Sequence, residues 1–220
     1  LGAAFERAVA GMSRGAGTNT QFGSLLLLVP LIRAAATPDR TLSPSGVTGV
    51  VESTTVADAA AFYRAFEHVD VAVADPPEGM SELDVRRGAE AIPALETREL
   101  TLHDVLSRSH EDSNATEWTT GFRRTFGTAA GMVDDEGPLT ARIARAFLDR
   151  LATDEDTLVR TRHGAAVATE IRERAAAARG DPDAVSALDA DLLDRGINPG
   201  ATADLVTAAA FVALQRGVSV

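Results

Sequence analysis

An all-α, single-domain bundle built around a buried central helix is the fold this sequence predicts, and three features predict it. Hydrophobic residues make up 45% of the 220-residue chain but aromatic residues only 5%, so the core must be built from Ala, Leu and Val. Alanine favours helix because it loses no side-chain entropy on entering one. Apolar residues recur at spacings of three and four through most of the chain, and no fixed-period repeat or long linker divides it. The length suits one domain, residues 1–220.

In chain order, Leu1–Met12 reads as the end of a helix, with Phe5, Val9 and Met12 on one side. Gln21–Ala35 is apolar nearly all round, the mark of a helix buried on most faces, and Pro30 inside it predicts a kink because a backbone donor is lost there. Thr37–Gly49 is a loop by its Pro, Ser and Gly content. Thr54–Phe66 is helical. His68–Ala74 alternates, as a short strand or extended chain, until Asp75-Pro76-Pro77-Glu78-Gly79 breaks it. Helices are then expected over Leu102–Arg108, Ser113–Phe126, Leu139–Leu151, Asp154–Ala178, Ala184–Leu193 and Pro199–Leu214. Arg179-Gly180-Asp181-Pro182-Asp183 is a stop-and-restart signal.

Charge bounds the function. Asp and Glu total 32 against 21 basic residues, a net charge of −11, and every basic residue is arginine. Such a surface lacks the basic patches nucleic acid requires. Acidic residues without lysine point to a cytosol of very high salt, where a Debye length near ~3 Å removes most surface repulsion. A GC-rich genome is the plainer explanation of the same composition. Without cysteine there is no disulfide and no thiolate chemistry. The longest apolar run, Leu25–Ile32, is far short of the ~20 residues that span a bilayer, and no basic stretch precedes it as in a signal peptide. A cytoplasmic protein is expected, with no membrane partner.

Four polar clusters abut apolar helices. In Gly15-Ala16-Gly17-Thr18-Asn19-Thr20-Gln21, Thr18 or Asn19 caps the following helix, or the helix end faces a phosphate. Around Thr153–Gly164, Thr153 with Asp156 has capping-box spacing, while Asp156, Arg160 and His163 fall on one helical stripe that suits a site. In Asn198–Val206, Asn198 reads as an N-cap and Pro199 as the first helical residue. Asp204 then lies in an otherwise apolar helix, where a carboxylate needs a partner or a metal. Helix-borne Asp and Asn oxygens facing one cavity suit Mg²⁺. Around Asn114–Phe122, Trp118 is core and Glu117 is expected to be solvated.

Together these stretches resemble the triphosphoribosyl-dephospho-CoA synthase family, and its archaeal branch more closely. The matching pieces are Gly17-Thr18-Asn19-Thr20, Asp156-Thr157-Leu158 with His163-Gly164, and Asn198-Pro199-Gly200 with Thr202-Ala203-Asp204-Leu205. Glu117–Phe122 is similar to the archaeal branch in particular. The resemblance implies an all-α transferase that joins ATP to a dephospho-CoA-like acceptor and releases adenine. It implies metal or phosphate contact at Asn19, Asp156 and Asp204, the two aspartates holding Mg²⁺. Hydroxyl contacts fall to Thr18, Thr20 and Thr202, with Asn198 and Gly200 at the nucleotide. Arg160 is the implied anion clamp, and His163 donates to phosphate or protonates the base, so that Asp156, His163 and Asp204 form the catalytic set.

Two departures accompany the resemblance. Gln21-Phe22 stands where many members carry a basic or histidine-containing sequence. A family segment with a Pro-Lys-Pro-Gly motif is expected upstream of the first residue here. A ribosyl hydrolase using water as acceptor, and a non-catalytic nucleotide-binding protein, are the alternative readings. A homodimer is compatible with the apolar helices. The geometric expectation is that Asn19, Asp156 and Asp204 share one cavity.

Overall fold

The computed structural model describes residues 1–16, 21–37, 42–76, 79–109 and 111–220. Among them are thirteen α-helices, short 3₁₀ turns and no strand, so the all-α expectation holds. The chain clusters into two compact helical units, Leu1–Arg123 and Arg124–Val220.

The first unit contains α1 (Gly2–Ala16), α2 (Phe22–Ala35), α3 (Pro44–Glu52), α4 (Val56–Ala65), α5 (Ile92–Thr97), α6 (Leu102–Ser107) and α7 (Ser113–Thr119). Its few aromatic residues are pooled rather than scattered. Phe5 of α1, Phe22 of α2, and Phe62 and Phe66 at the end of α4 meet at ring-centroid distances of 4.9–6.2 Å. Tyr63 lies beside them and donates to Leu83 O at 2.6 Å, and burial pushes its hydroxyl pKa up to about 12. Aromatic side chains carry large buried areas, so five rings in one cluster anchor α1, α2 and α4.

The stretch 37–49, expected to be a loop throughout, contains the start of α3. Ser43 caps it by accepting from Gly46 N at 3.2 Å, and Pro44 takes a first-turn position where its missing donor costs nothing. Thr55 and Asp58 form a reciprocal capping box at α4. Residues 68–74 form no strand; they run as irregular chain towards the 3₁₀ turns Ser81–Leu83 and Val85–Ala91.

Helix α2 buries Phe22, Leu26, Leu27, Pro30, Leu31 and Ala34, whereas Ile32 is 49% exposed. Its N-cap is Gln21, not Thr18 or Asn19. Pro30 sits inside the helix and cannot donate to Leu26 O four residues back. The indole N–H of buried Trp118 on α7 donates to that carbonyl instead, at 3.2 Å. One side chain therefore both fills the core and satisfies the acceptor that the proline leaves open.

The second unit begins within α8 (Arg123–Asp134), at Arg124, and contains α9 (Leu139–Thr153), α10 (Thr157–His163), α11 (Ala165–Ala178), α12 (Pro182–Asp194) and α13 (Gly200–Gln215). Its core joins Leu151, Val159, Ala168, Ile171, Ala175, Leu188, Leu192 and Ile197. Outside, Glu170 of α11 and Asp191 of α12 share Arg174 and Arg195 in a four-member ion network.

Two expected helices are each broken in two. The 113–126 helix stops after α7, where Gly121 (φ 66°) and the wholly buried Phe122 (φ 58°) turn the chain into α8. The 154–178 helix breaks at Gly164, whose φ of 90° ends α10 and starts α11. Positive φ at consecutive residues or at a lone glycine interrupts the helical ladder without disturbing apolar periodicity.

Candidate active site

Asp156 precedes α10 in extended conformation (φ −72°, ψ 121°) and is 2% exposed. Its Oδ1 accepts from Val159 N at 3.0 Å, capping its own helix. Its Oδ2 accepts from Thr202 N at 2.7 Å, in the first turn of α13 and 46 residues away. A single carboxylate thus serves the orphan donors of two helix N-termini, where a negative charge is favoured twice by the macrodipoles. Burial of the carboxylate is compensated by these bonds.

The same junction determines the backbone around it. Pro199 (φ −73°, ψ 62°) centres an inverse γ-turn, closed by Gly200 N donating to Asn198 O at 2.8 Å. The N-cap of α13 is accordingly Pro199, one residue later than expected, and exposed Asn198 does not cap the helix. An Asn198 cap would have served Gly200 N or Ala201 N; the donor satisfied from a side chain is instead Thr202 N, by Asp156. Gly200 packs against Leu158: a Cβ there would lie 2.6 Å from Leu158 Cδ2. The stretch Asp156-Thr157-Leu158 therefore interlocks with 198–205, through a hydrogen bond to Thr202 and a close packing contact at Gly200.

The expected capping box at Thr153 is absent, because α9 runs through that residue and its hydroxyl donates to Asp149 O at 2.7 Å. The expected stripe also divides. Asp156 is turned inward to backbone N–H groups, while Arg160 and His163 are exposed on the last turn of α10. Arg162, not singled out from the sequence, is exposed on that turn too, so three basic residues end the helix. Helix α11 follows directly, with no side-chain cap at its N-terminus. Thr202 is buried and Asp204 half-buried in α13. Thr18, Asn19 and Thr20 lie outside the described residues, and the expected meeting of Asn19 with Asp156 and Asp204 lies there too.

The donor set does not by itself fit a Mg²⁺ site. Among the described residues no three His, Asp or Glu side chains gather to hold a metal ion. Asp156, one of the two expected ligands, already has a backbone N–H on each oxygen.

On α7, Glu117 was expected in solvent but is fully buried, and Asn114, one turn earlier, is 8% exposed. The available signal was spacing: Glu117 follows Asn114 by three residues and so shares its face, and Trp118 follows Asn114 by four.

The family model described as ATP:dephospho-CoA triphosphoribosyl transferase matches residues 1–219, which identifies the chain as an all-helical transferase. The chain belongs to this ATP:dephospho-CoA triphosphoribosyl transferase family and is an enzyme of triphosphoribosyl transfer that uses ATP. A crystal structure of a candidate triphosphoribosyl-dephospho-CoA synthase from Archaeoglobus fulgidus is similar over 100% of this chain and 91% of its own, with TM-score 0.80 and 25% identity. A search of curated proteins gave no match. Among the described residues no helix is long and apolar enough to cross a membrane.

Proposed function

We propose that the interlocked α10–α13 junction carries the nucleotide end of the reaction: ATP gives its triphosphoribosyl group to an acceptor hydroxyl of dephospho-CoA and free adenine leaves. The bond from C1′ to the adenine nitrogen breaks as the acceptor oxygen bonds C1′. Adenine keeps the electron pair and gains a proton, and the acceptor hydroxyl loses one. The observation that carries this reading is the Asp156–Thr202 hydrogen bond, which joins two of the motifs that define the family resemblance.

Within that reading Arg160 binds triphosphate oxygens, since a planar guanidinium matches them bidentately. His163, on the same exposed helix end, protonates the departing base. Arg162 and the capless start of α11 add positive potential beside them. Thr202, Asn198 and Gly200 contact the nucleotide along the first turn of α13, and Asp204 stabilises charge building at C1′. In this reading His163 and Asp204 are the catalytic positions, Asp156 supports them through its backbone hydrogen bonds, and Thr18, Asn19 and Thr20 are assigned phosphate contacts by motif match alone. Mg²⁺ would enter as the counter-ion of ATP, largely hydrated and held by phosphates, rather than in a protein cage.

The test is adenine release from ATP by the purified chain, with and without dephospho-CoA, in molar KCl. Acceptor-dependent adenine is the expected result. Adenine released equally without acceptor marks a hydrolase, and ATP binding without adenine marks a non-catalytic nucleotide binder.

Two further parts of the proposal are a salt-rich archaeal cytoplasm as the protein's setting and a single cooperative domain over residues 1–220, with a homodimer as one assembly it allows. The net charge of −11 supports the first. Raising KCl from 0.1 to 2 M is expected to raise the melting temperature by at least about 5 °C, in one transition, as screening relieves repulsion. No rise above physiological salt overturns the halophilic reading, and two separate transitions overturn the single domain.

A further inference from the structure

The geometry points to Asp156 as a positioning residue: its carboxylate aligns the first turn of α13, and the nucleotide contacts on it, with α10, and does not bind metal. This rests on the reading above that the α10–α13 junction is the nucleotide site.

Three observations carry it. Both oxygens are engaged by backbone N–H groups, Val159 N at 3.0 Å and Thr202 N at 2.7 Å, and the residue is 2% exposed. The second bond crosses 46 residues of sequence, so it is a tertiary link as well as a local cap. The start of α13 has no side-chain cap of its own from Pro199. Asp156 supplies from another helix what the first turn of α13 lacks. A charge-assisted bond to a backbone donor is directional and strong. It sets the height of Thr202 on α10, while Leu158 against Gly200 sets the distance between the helices. Asp204, two residues on along the same helix, inherits that register.

Serine separates the two tasks, since it caps α10 well but is too short to bridge to α13. In the full chain carrying Asp156→Ser, amide hydrogen exchange at Thr202 is expected to accelerate roughly tenfold or more, with Val159 changed by less than about threefold. The kcat of adenine release is expected to fall by a similar factor, while the Mg²⁺ concentration giving half-maximal activity stays as in the unaltered enzyme. Asp156→Asn, which keeps one acceptor and turns an amide donor towards the other N–H, is the second variant should serine impair folding. Unchanged exchange at Thr202 overturns the link. Faster exchange with unchanged kcat reduces it to a structural contact and overturns the positioning role. A tenfold rise in the Mg²⁺ requirement assigns Asp156 to metal and overturns it as well. If the unaltered chain releases no adenine, the proposed function fails and the positioning role in catalysis with it, while Thr202 exchange still decides whether the link itself exists.

Discussion

Trp118→Ala is expected to be the most destabilising single substitution in the first unit, at about 5 kcal/mol. Removing a buried indole costs ~3–5 kcal/mol through lost transfer energy and cavity formation. Here it also strips the donor from Leu26 O, which Pro30 cannot serve, and an unsatisfied buried carbonyl costs a further ~1–3 kcal/mol. The two parts can be separated. Trp118→Phe keeps most of the volume and loses the N–H. Pro30→Ala restores a backbone donor four residues from Leu26. Urea unfolding of both single variants and the double variant forms a cycle. The expected coupling is about 1 kcal/mol, with Trp118→Phe cheaper when residue 30 is alanine. Additivity within about 0.3 kcal/mol would show that the indole N–H and the proline do not share the carbonyl.

Asp204→Ala is expected to lower the kcat of adenine release by about 10²–10³, the usual loss when one group stabilising transition-state charge is removed. Asp204 is half-buried on a helix whose neighbours Leu205, Val206 and Ala208 are core, and alanine is the best helix former. The fold should therefore survive, and circular dichroism with a thermal melt checks that it does. An effect on KM for ATP with kcat unchanged would mean uniform nucleotide binding rather than charge stabilisation. Activity within threefold of the unaltered enzyme would remove Asp204 from the site.

Much of the fold was legible because helical periodicity is local information. Helices α1, α2, α4, α6, α9, α12 and α13 lie close to where apolar spacing predicts them. The failures have specific causes. Helix α3 was hidden because Ser43 and Pro44 read equally as loop residues and as a helix start. The breaks at Gly121-Phe122 and Gly164 were missed because a positive φ leaves hydrophobic spacing intact. Glu117's charge suits solvent, but its spacing of three from Asn114 puts it on the buried face of α7.

Reading the site met the same division. The motif residues Asp156, His163, Asn198, Gly200, Thr202 and Asp204 are proposed as site residues from residue type and order. Their local roles were partly wrong: Thr153 does not cap α10 and Asn198 does not cap α13. Local rules assign a cap to the nearest suitable side chain. A carboxylate 46 residues away satisfies the donor instead.

What the sequence determined alone was the helical class, the acidic character and the family, because composition, periodicity and motif order all survive without coordinates. Only the tertiary structure decided that Asp156 reaches the first turn of α13, that Trp118 answers Pro30, and that Gly200 lies against Leu158. Each of these pairs residues far apart in the chain. Which buried donor meets which acceptor is settled by packing, since every such group must find a partner and local sequence does not say where that partner will be.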